Sequence, residues 1–191
     1  SLILLSCRWR AVASQTAEAF RPARPARDQD ESGGAEISYF TAKVRPALRA
    51  KAVHFVELLA TPAVYREVIL PRTGLAFIPI VVTPDGETWQ DTSDILDRLE
   101  ARFPEPALVP PTPILQSASS LLEVYADEFM VLPAMHYRWS FPESEAKARA
   151  DFAATNGDPA AAGRFADRMK GSLPALGVTP AAGPAIEAHL R

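Results

Sequence analysis

The stretch from residue 74 to 104, GLAFIPIVVTPDGETWQDTSDILDRLEARFP, limits the possible folds more than any other part of the chain. Its apolar run over residues 77–83 reads as a strand. Pro84, Asp85 and Gly86 follow, and these residue types suit a tight hairpin turn. Residues 87–90 return as a second strand. Beyond it, Ile95, Leu96, Leu99 and Phe103 recur at the spacing of one helical face. Asp91 stands where it can cap this helix, with Asp94 three residues on, in the manner of a capping box. Pro79 interrupts the first strand. A proline gives no donor to a strand ladder, so it marks either an edge or a special peptide bond.

Upstream, residues 36–40 (EISYF) are short and β-prone. Val44, Ala47, Leu48 and Lys51 follow at helical spacing, and Pro46 suits a first helical turn. Residues 54–60 (HFVELLA) form a further strand candidate with His54, Val56 and Leu58 on one face. A short helix follows, capped by Thr61 with Pro62 at its first position and broken at PRTG (residues 71–74). The order is β-α-β-α-β-β-α. After Pro104 the character changes. EPALVPPTP reads as a linker, and no strand signal follows it. Ala118, Leu121, Leu122, Tyr125, Phe129 and Leu132 trace a long amphipathic helix, which Pro133 should kink or end. Shorter helices are expected over SEAKARADFAAT and GRFADRMKG, and another begins at PAIEAHLR and is cut off at Arg191.

Composition narrows the function classes. The net charge of −3 gives no basic surplus for nucleic acid. No run approaches the ~18 apolar residues of a membrane span. The single cysteine, Cys7, excludes an internal disulfide, a CxxC pair and a cysteine-based metal site. His54, His136 and His189 are too scattered for metal ligation, and no GxGxxG, phosphate loop or HExxH occurs. Residues 1–27 carry five arginines and one acid, Glu18. LILL is too short for a secretory apolar core. The sequence reading therefore sets residues 1–35 aside as a disordered or targeting-like leader. It divides the rest into an α/β domain (36–104), a linker (105–113) and a partial all-helical domain (114–191).

Four pieces, SYFTAKVRPALR, FIPIVVTPDG, QDTSDILDRLEARFP and the helical region after a proline-rich linker, resemble the soluble glutathione transferase superfamily. The resemblance implies a thioredoxin-like domain, an all-α domain that ordinarily continues past residue 191, and glutathione held between them as co-substrate. It implies a cis Pro79 that turns the backbone of Ile78 toward the cysteinyl part of glutathione. Gln90, Asp91 and Thr92 would hold the γ-glutamyl end, where relatives usually carry Glu-Ser. A hydroxyl would stabilise the thiolate. Ser38, Tyr39 and Thr41 compete, with Tyr39 first and Thr41 next. Lys43, with Arg45, would meet the glycyl carboxylate, and His136 with Arg138 would line the pocket of a hydrophobic electrophile among Tyr125, Met135 and Trp139. Asp127 would reach a partner subunit's ligand. A cytoplasmic homodimer with no nucleic-acid or membrane partner is expected. The competing reading is a non-catalytic binding module on the same scaffold.

Overall fold

A computed structural model describes residues 2–6 and 38–191. Four strands form one mixed sheet in the order β2-β1-β3-β4. Strand β1 (Leu2–Ser6) runs parallel to β2 (Phe55–Leu59) and antiparallel to β3 (Ile80–Val82); β4 (Thr88–Gln90) pairs antiparallel with β3. Helix α1 (Thr41–Ala50) joins β1 to β2 in sequence, α2 (residues 62–73) joins β2 to β3, and α3 (Thr92–Arg102) follows β4. The expected β-α-β-α-β-β-α order of a thioredoxin-like domain is therefore present.

The first strand is not where the sequence reading put it. Leu2–Ser6, set aside with the leader, is an inner strand of the sheet. Tyr39 and Phe40 form the turn into α1, while Glu36, Ile37 and the leader from Cys7 onward lie outside the described residues. The physical reason is burial. A strand covered on both faces needs an almost unbroken apolar run, and LILL supplies one where EISYF carries Glu36 and Ser38. Four residues are too few for a secretory core but ample for a strand.

The two faces of the sheet form separate cores. Leu2, Leu4, Val81 and Trp89 pack with Val44, Ala47 and Leu48 of α1 and Ile95 and Leu99 of α3. Ile80 and Val82, on the opposite face by the two-residue period of a strand, pack with Ala60 and Ile69 beside Val64 and Val68. Val56 and Leu58, grouped with His54 on one face, are exposed on the edge strand β2, 52% and 39%. Glu57 points to the α1 side and meets Arg45 in two bonds of 2.7 and 3.0 Å. Both side chains are buried, so the charges need each other.

Pro46 lies inside α1 rather than in its first turn, whereas Pro71 and Pro133 are accommodated alike. Helix α2 does not break at PRTG. It runs Pro62–Val64, widens to a π turn at Tyr65–Ile69 and resumes at Leu70–Thr73, so Pro71 sits in a new first turn. The long helix begins as α4 (Pro113–Val124), widens at Tyr125–Phe129 and restarts as α5 (Val131–Trp139), with Pro133 in its first turn. A π turn before the proline removes the need for its missing N–H.

Helices α6 (Pro142–Asn156), α7 (Pro159–Gly171) and α8 (Gly183–His189) complete the helical region. Its core joins Met135, Trp139, Phe152, Ala162, Ala166 and Leu173. The apolar stripe traced along α4 is not part of it. Leu121, Leu122 and Phe129 are 72%, 68% and 63% exposed. No helix of the described residues is long and apolar enough to cross a membrane.

Candidate functional site

Where β3 begins and β4 ends, the chain makes a cleft with α4. It has a volume of about 580 Å³. Phe77, Ile78 and Pro79 form one wall, Gln90 to Ser93 the floor, and Ser120, Glu123, Val124 and Asp127 the opposite wall. Ile78–Pro79 is cis, and Pro79 immediately precedes the β3 ladder, where its missing N–H leaves no gap. Gln90 donates its side-chain amide to the Phe77 carbonyl at 2.9 Å, fastening the segment before the proline to β4.

The start of α3 is built around Asp91. Its carboxylate accepts from the Ser93 N–H at 2.9 Å and from the Asp94 N–H at 3.4 Å. The reciprocal half of a capping box is absent, because the Asp94 carboxylate pairs with Arg98 instead. Asp91 has φ 75° and ψ 129°, a conformation that non-glycine residues rarely adopt. Strain of this kind costs about 1–3 kcal/mol and clusters at ligand clamps. Thr92 is buried, and its N–H and hydroxyl take no partner among the described residues. One donor pair at the helix terminus thus stays available beside Pro79.

Lys43 closes the cleft at the α1 side. Its ammonium lies 2.6 Å from Glu123, 2.7 Å from Asp127 and 3.2 Å from the Ser93 hydroxyl. The Ser93 hydroxyl itself donates to Glu123 at 2.8 Å. The bond from Lys43, aided by Ser93, holds the Glu123 carboxyl below the usual carboxylate range. Burial works against the charge on Lys43, but its bonds to Asp127 and Glu123 outweigh it, so its pKa rises.

The three hydroxyls before α1 have different fates. Tyr39 donates to the Ala126 carbonyl at 2.7 Å, bridging to the turn after α4. Burial, with the charge of Asp127 adding to it, raises the Tyr39 phenol. Thr41 is fully buried and donates to the Ser38 oxygen at 2.8 Å. Ser38 also accepts the Thr41 N–H at 3.2 Å, so it caps α1. None of Ser38, Tyr39 and Thr41 is among the residues that line the cleft, whereas Phe40 is.

Of the residues expected at the site, Ile78, Pro79, Gln90, Asp91, Thr92 and Asp127 meet in the cleft. Lys43 reaches its edge already engaged with two carboxylates, and Arg45 is spent on Glu57. His136 lies elsewhere, buried against α8 with Nε2 3.1 Å from Glu187. A Cβ at Gly183 would come within 3.1 Å of its ring. Met135 and Trp139 belong to the helical core, and neither they nor Arg138 line the cleft. The helix turns these side chains inward, away from the face that Ser120, Glu123 and Asp127 present. Glu123 and Ser93 were missed. Ser120, Glu123 and Asp127 recur at i, i+3 and i+7, a polar row on one helical face that runs beside the apolar one.

Comparison with known proteins agrees with this architecture. Residues 34–123 match the family model described as glutathione S-transferase, N-terminal domain. No curated protein matches the chain significantly. Among solved structures, the β-etherase LigF from Sphingobium sp. strain SYK-6 shares 17% identity, covering 89% of this chain and 69% of that one, with a TM-score of 0.51. The Tau class glutathione S-transferase of mango, Mangifera indica L., shares 16% identity over 77% of this chain and 55% of that one, with a TM-score of 0.50. A glutathione S-transferase from Methylobacterium radiotolerans JCM 2831, solved in complex with glutathione sulfonate, shares 24% identity over 60% of this chain at a TM-score of 0.48. The chain spans 57% of that relative's length and 55% of the mango enzyme's. Residues 34–123 thus match the N-terminal domain of the glutathione S-transferases, and the thioredoxin-like sheet followed by a helical region is consistent with the fold of that superfamily.

Proposed function

We propose that the cleft binds glutathione and presents its thiol to a hydrophobic electrophile. The observation that carries this reading is the pairing of Pro79 and the Ile78 backbone with an unbonded Thr92 N–H and hydroxyl across one cleft. The γ-glutamyl carboxylate would take Thr92, in the field of the α3 terminus. Its ammonium would face Asp91. Phe40, Leu75, Phe77 and Val124 give the apolar wall for the second substrate.

Conjugation needs a thiolate. Bringing a thiol of pKa about 8.5 to ionisation near neutrality takes about 2 kcal/mol. With the Tyr39 proton given to Ala126 and the Thr41 proton to Ser38, Ser38 is the one of these three hydroxyls whose own proton has no acceptor among the described residues. We assign it the role that the sequence reading gave first to Tyr39 and then to Thr41. Ser38 would donate to the sulfur beside the positive end of α1. The thiol proton leaves to solvent, the sulfur forms a bond to the electrophilic carbon, and the leaving group departs with its electron pair. Ser38→Ala is expected to lower conjugation of a model aryl halide about a hundredfold, with Tyr39→Phe and Thr41→Val each costing less than about tenfold. Loss confined to Tyr39→Phe or Thr41→Val would refute this assignment.

The alternative is a glutathione-binding module without turnover. Its support is that two of the three hydroxyls are committed within the protein. Retention on immobilised glutathione with no conjugation by the full chain would establish it. A homodimer belongs to the same proposal, for which the exposed Ile114, Leu121, Leu122 and Phe129 offer an apolar face. Sedimentation equilibrium measures it directly.

A further inference from the structure

Charge in the cleft poses a problem for the ligand. Asp91, Glu123, Asp127 and Glu128 line it, and among the described residues no cationic side chain does. Glutathione carries two carboxylates and one ammonium, so it enters as a net anion. Carboxylates facing the α3 terminus would cancel the attraction of that terminus for an anion. Lys43 answers this from outside the cleft. It sits on α1, is only 19% exposed, and spends its ammonium on Glu123, Asp127 and Ser93.

We propose that Lys43 is a positioning residue that serves as a resident counter-ion. It neutralises the two α4-side carboxylates and holds Glu123 on the Ser93 hydroxyl, which leaves the neighbouring Thr92 donors to the anionic end of glutathione. This differs from direct contact between Lys43 and the glycyl carboxylate, and it rests on the glutathione-binding reading above. In the absence of the Lys43 charge, Glu123 and Asp127 confront each other and the incoming carboxylate, and Glu123 is released from its place.

The test is a calorimetric titration of glutathione into the wild-type chain, Lys43→Met, Lys43→Arg and the triple variant Lys43→Met, Glu123→Gln, Asp127→Asn. Lys43→Met is expected to weaken binding about tenfold, equivalent to roughly 1.4 kcal/mol. Lys43→Arg keeps the charge and is expected to stay within about threefold of wild type. The triple variant removes the charges that Lys43 offsets, and recovery to within about threefold is the signature of a counter-ion. Equal weakness of Lys43→Met and the triple variant would overturn the proposal in favour of direct contact. An unaffected Lys43→Met would overturn it too, with glutathione binding intact. Repeating the series with the glycyl ethyl ester gives an independent readout. The Lys43→Met penalty persists if Lys43 acts through Glu123 and Asp127, and its disappearance would assign Lys43 to the glycyl carboxylate. Absence of binding by the wild-type chain would defeat this inference together with the reading beneath it. Far-ultraviolet circular dichroism of each variant separates these outcomes from misfolding.

Discussion

The α/β half and helix α4 carry similar apolar patterns and use them in opposite ways. In α1, β3 and α3 of the α/β half the patterned residues reach the core: Leu48, Ile80, Ile95 and Leu99 are wholly buried. Along α4 the patterned residues Leu121 and Leu122 face out, and the charged row Glu123 and Asp127 makes the contacts inward. Periodicity therefore identifies a helix face without saying which face meets the rest of the molecule. The contacts of the four buried side chains are apolar, with the buried Arg45–Glu57 pair set beside them. The junction between the halves rests on Lys43, Glu123, Asp127 and the Tyr39–Ala126 bond, and it is polar.

The largest effect should come from charge inside the α/β half. Arg45→Met breaks the buried pair with Glu57, whose side chain is 6% exposed. A loss of about 3–5 kcal/mol is expected, read from the denaturant midpoint. The equivalent change in the helical half, Arg149→Met, breaks pairs with Asp167 and Glu145 at the surface. It should cost clearly less than Arg45→Met, read from the same denaturant midpoint. Equal losses would break the contrast.

Leu48→Ala and Leu121→Ala test the apolar side of the comparison. Leu48 is wholly buried between α1 and the sheet, and truncation should cost about 2–5 kcal/mol.

The polar junction should show itself through pH. Glu123 titrates below its ordinary value in the folded chain. Its contribution is present above the unfolded carboxyl value of about 4.3 and is lost as pH falls through the lower folded value. The pKa of Lys43 is raised, so its side of the bond is lost only as pH rises past its folded value. The junction is thus intact through neutrality and weakens on the acid side. Urea midpoints at pH 7 and pH 3 should differ less for Glu123→Gln, Asp127→Asn than for wild type, by about 1 kcal/mol at most. An identical fall in both would show that the junction contributes no acid sensitivity. Leu121→Ala should give the smallest change, within about 0.5 kcal/mol at dilute protein concentration. A loss comparable to that of Leu48→Ala would mean the exposed face is covered in solution.

Much of the cleft was readable because it is made by neighbours in sequence. Pro79, the turn at Gly86 and the cap at Asp91 all fall within one hairpin and one helix start. Gly86 has φ 93°, the left-handed conformation that PDG anticipates. Expectations that spanned the two halves fared worse. Lys43 and Glu123 are separated by 80 residues, and nothing local to either names the other. His136 and Arg138 were grouped with the cleft by their chemistry, yet His136 turns toward Glu187 and the helical core.

The sequence by itself determined the element order, the strand–turn–helix unit and the placement of Asp91 and Thr92, because these follow from backbone preference and short-range periodicity. Only the tertiary structure decided that Leu2–Ser6 is an inner strand, that Tyr39 bonds Ala126 and that Lys43 joins α1 to the helical region. An inner strand is defined by its neighbours on both sides, and a hydroxyl or an ammonium by whichever distant groups the packing brings within reach. Those choices are made between segments far apart in the chain, where local preference carries no information.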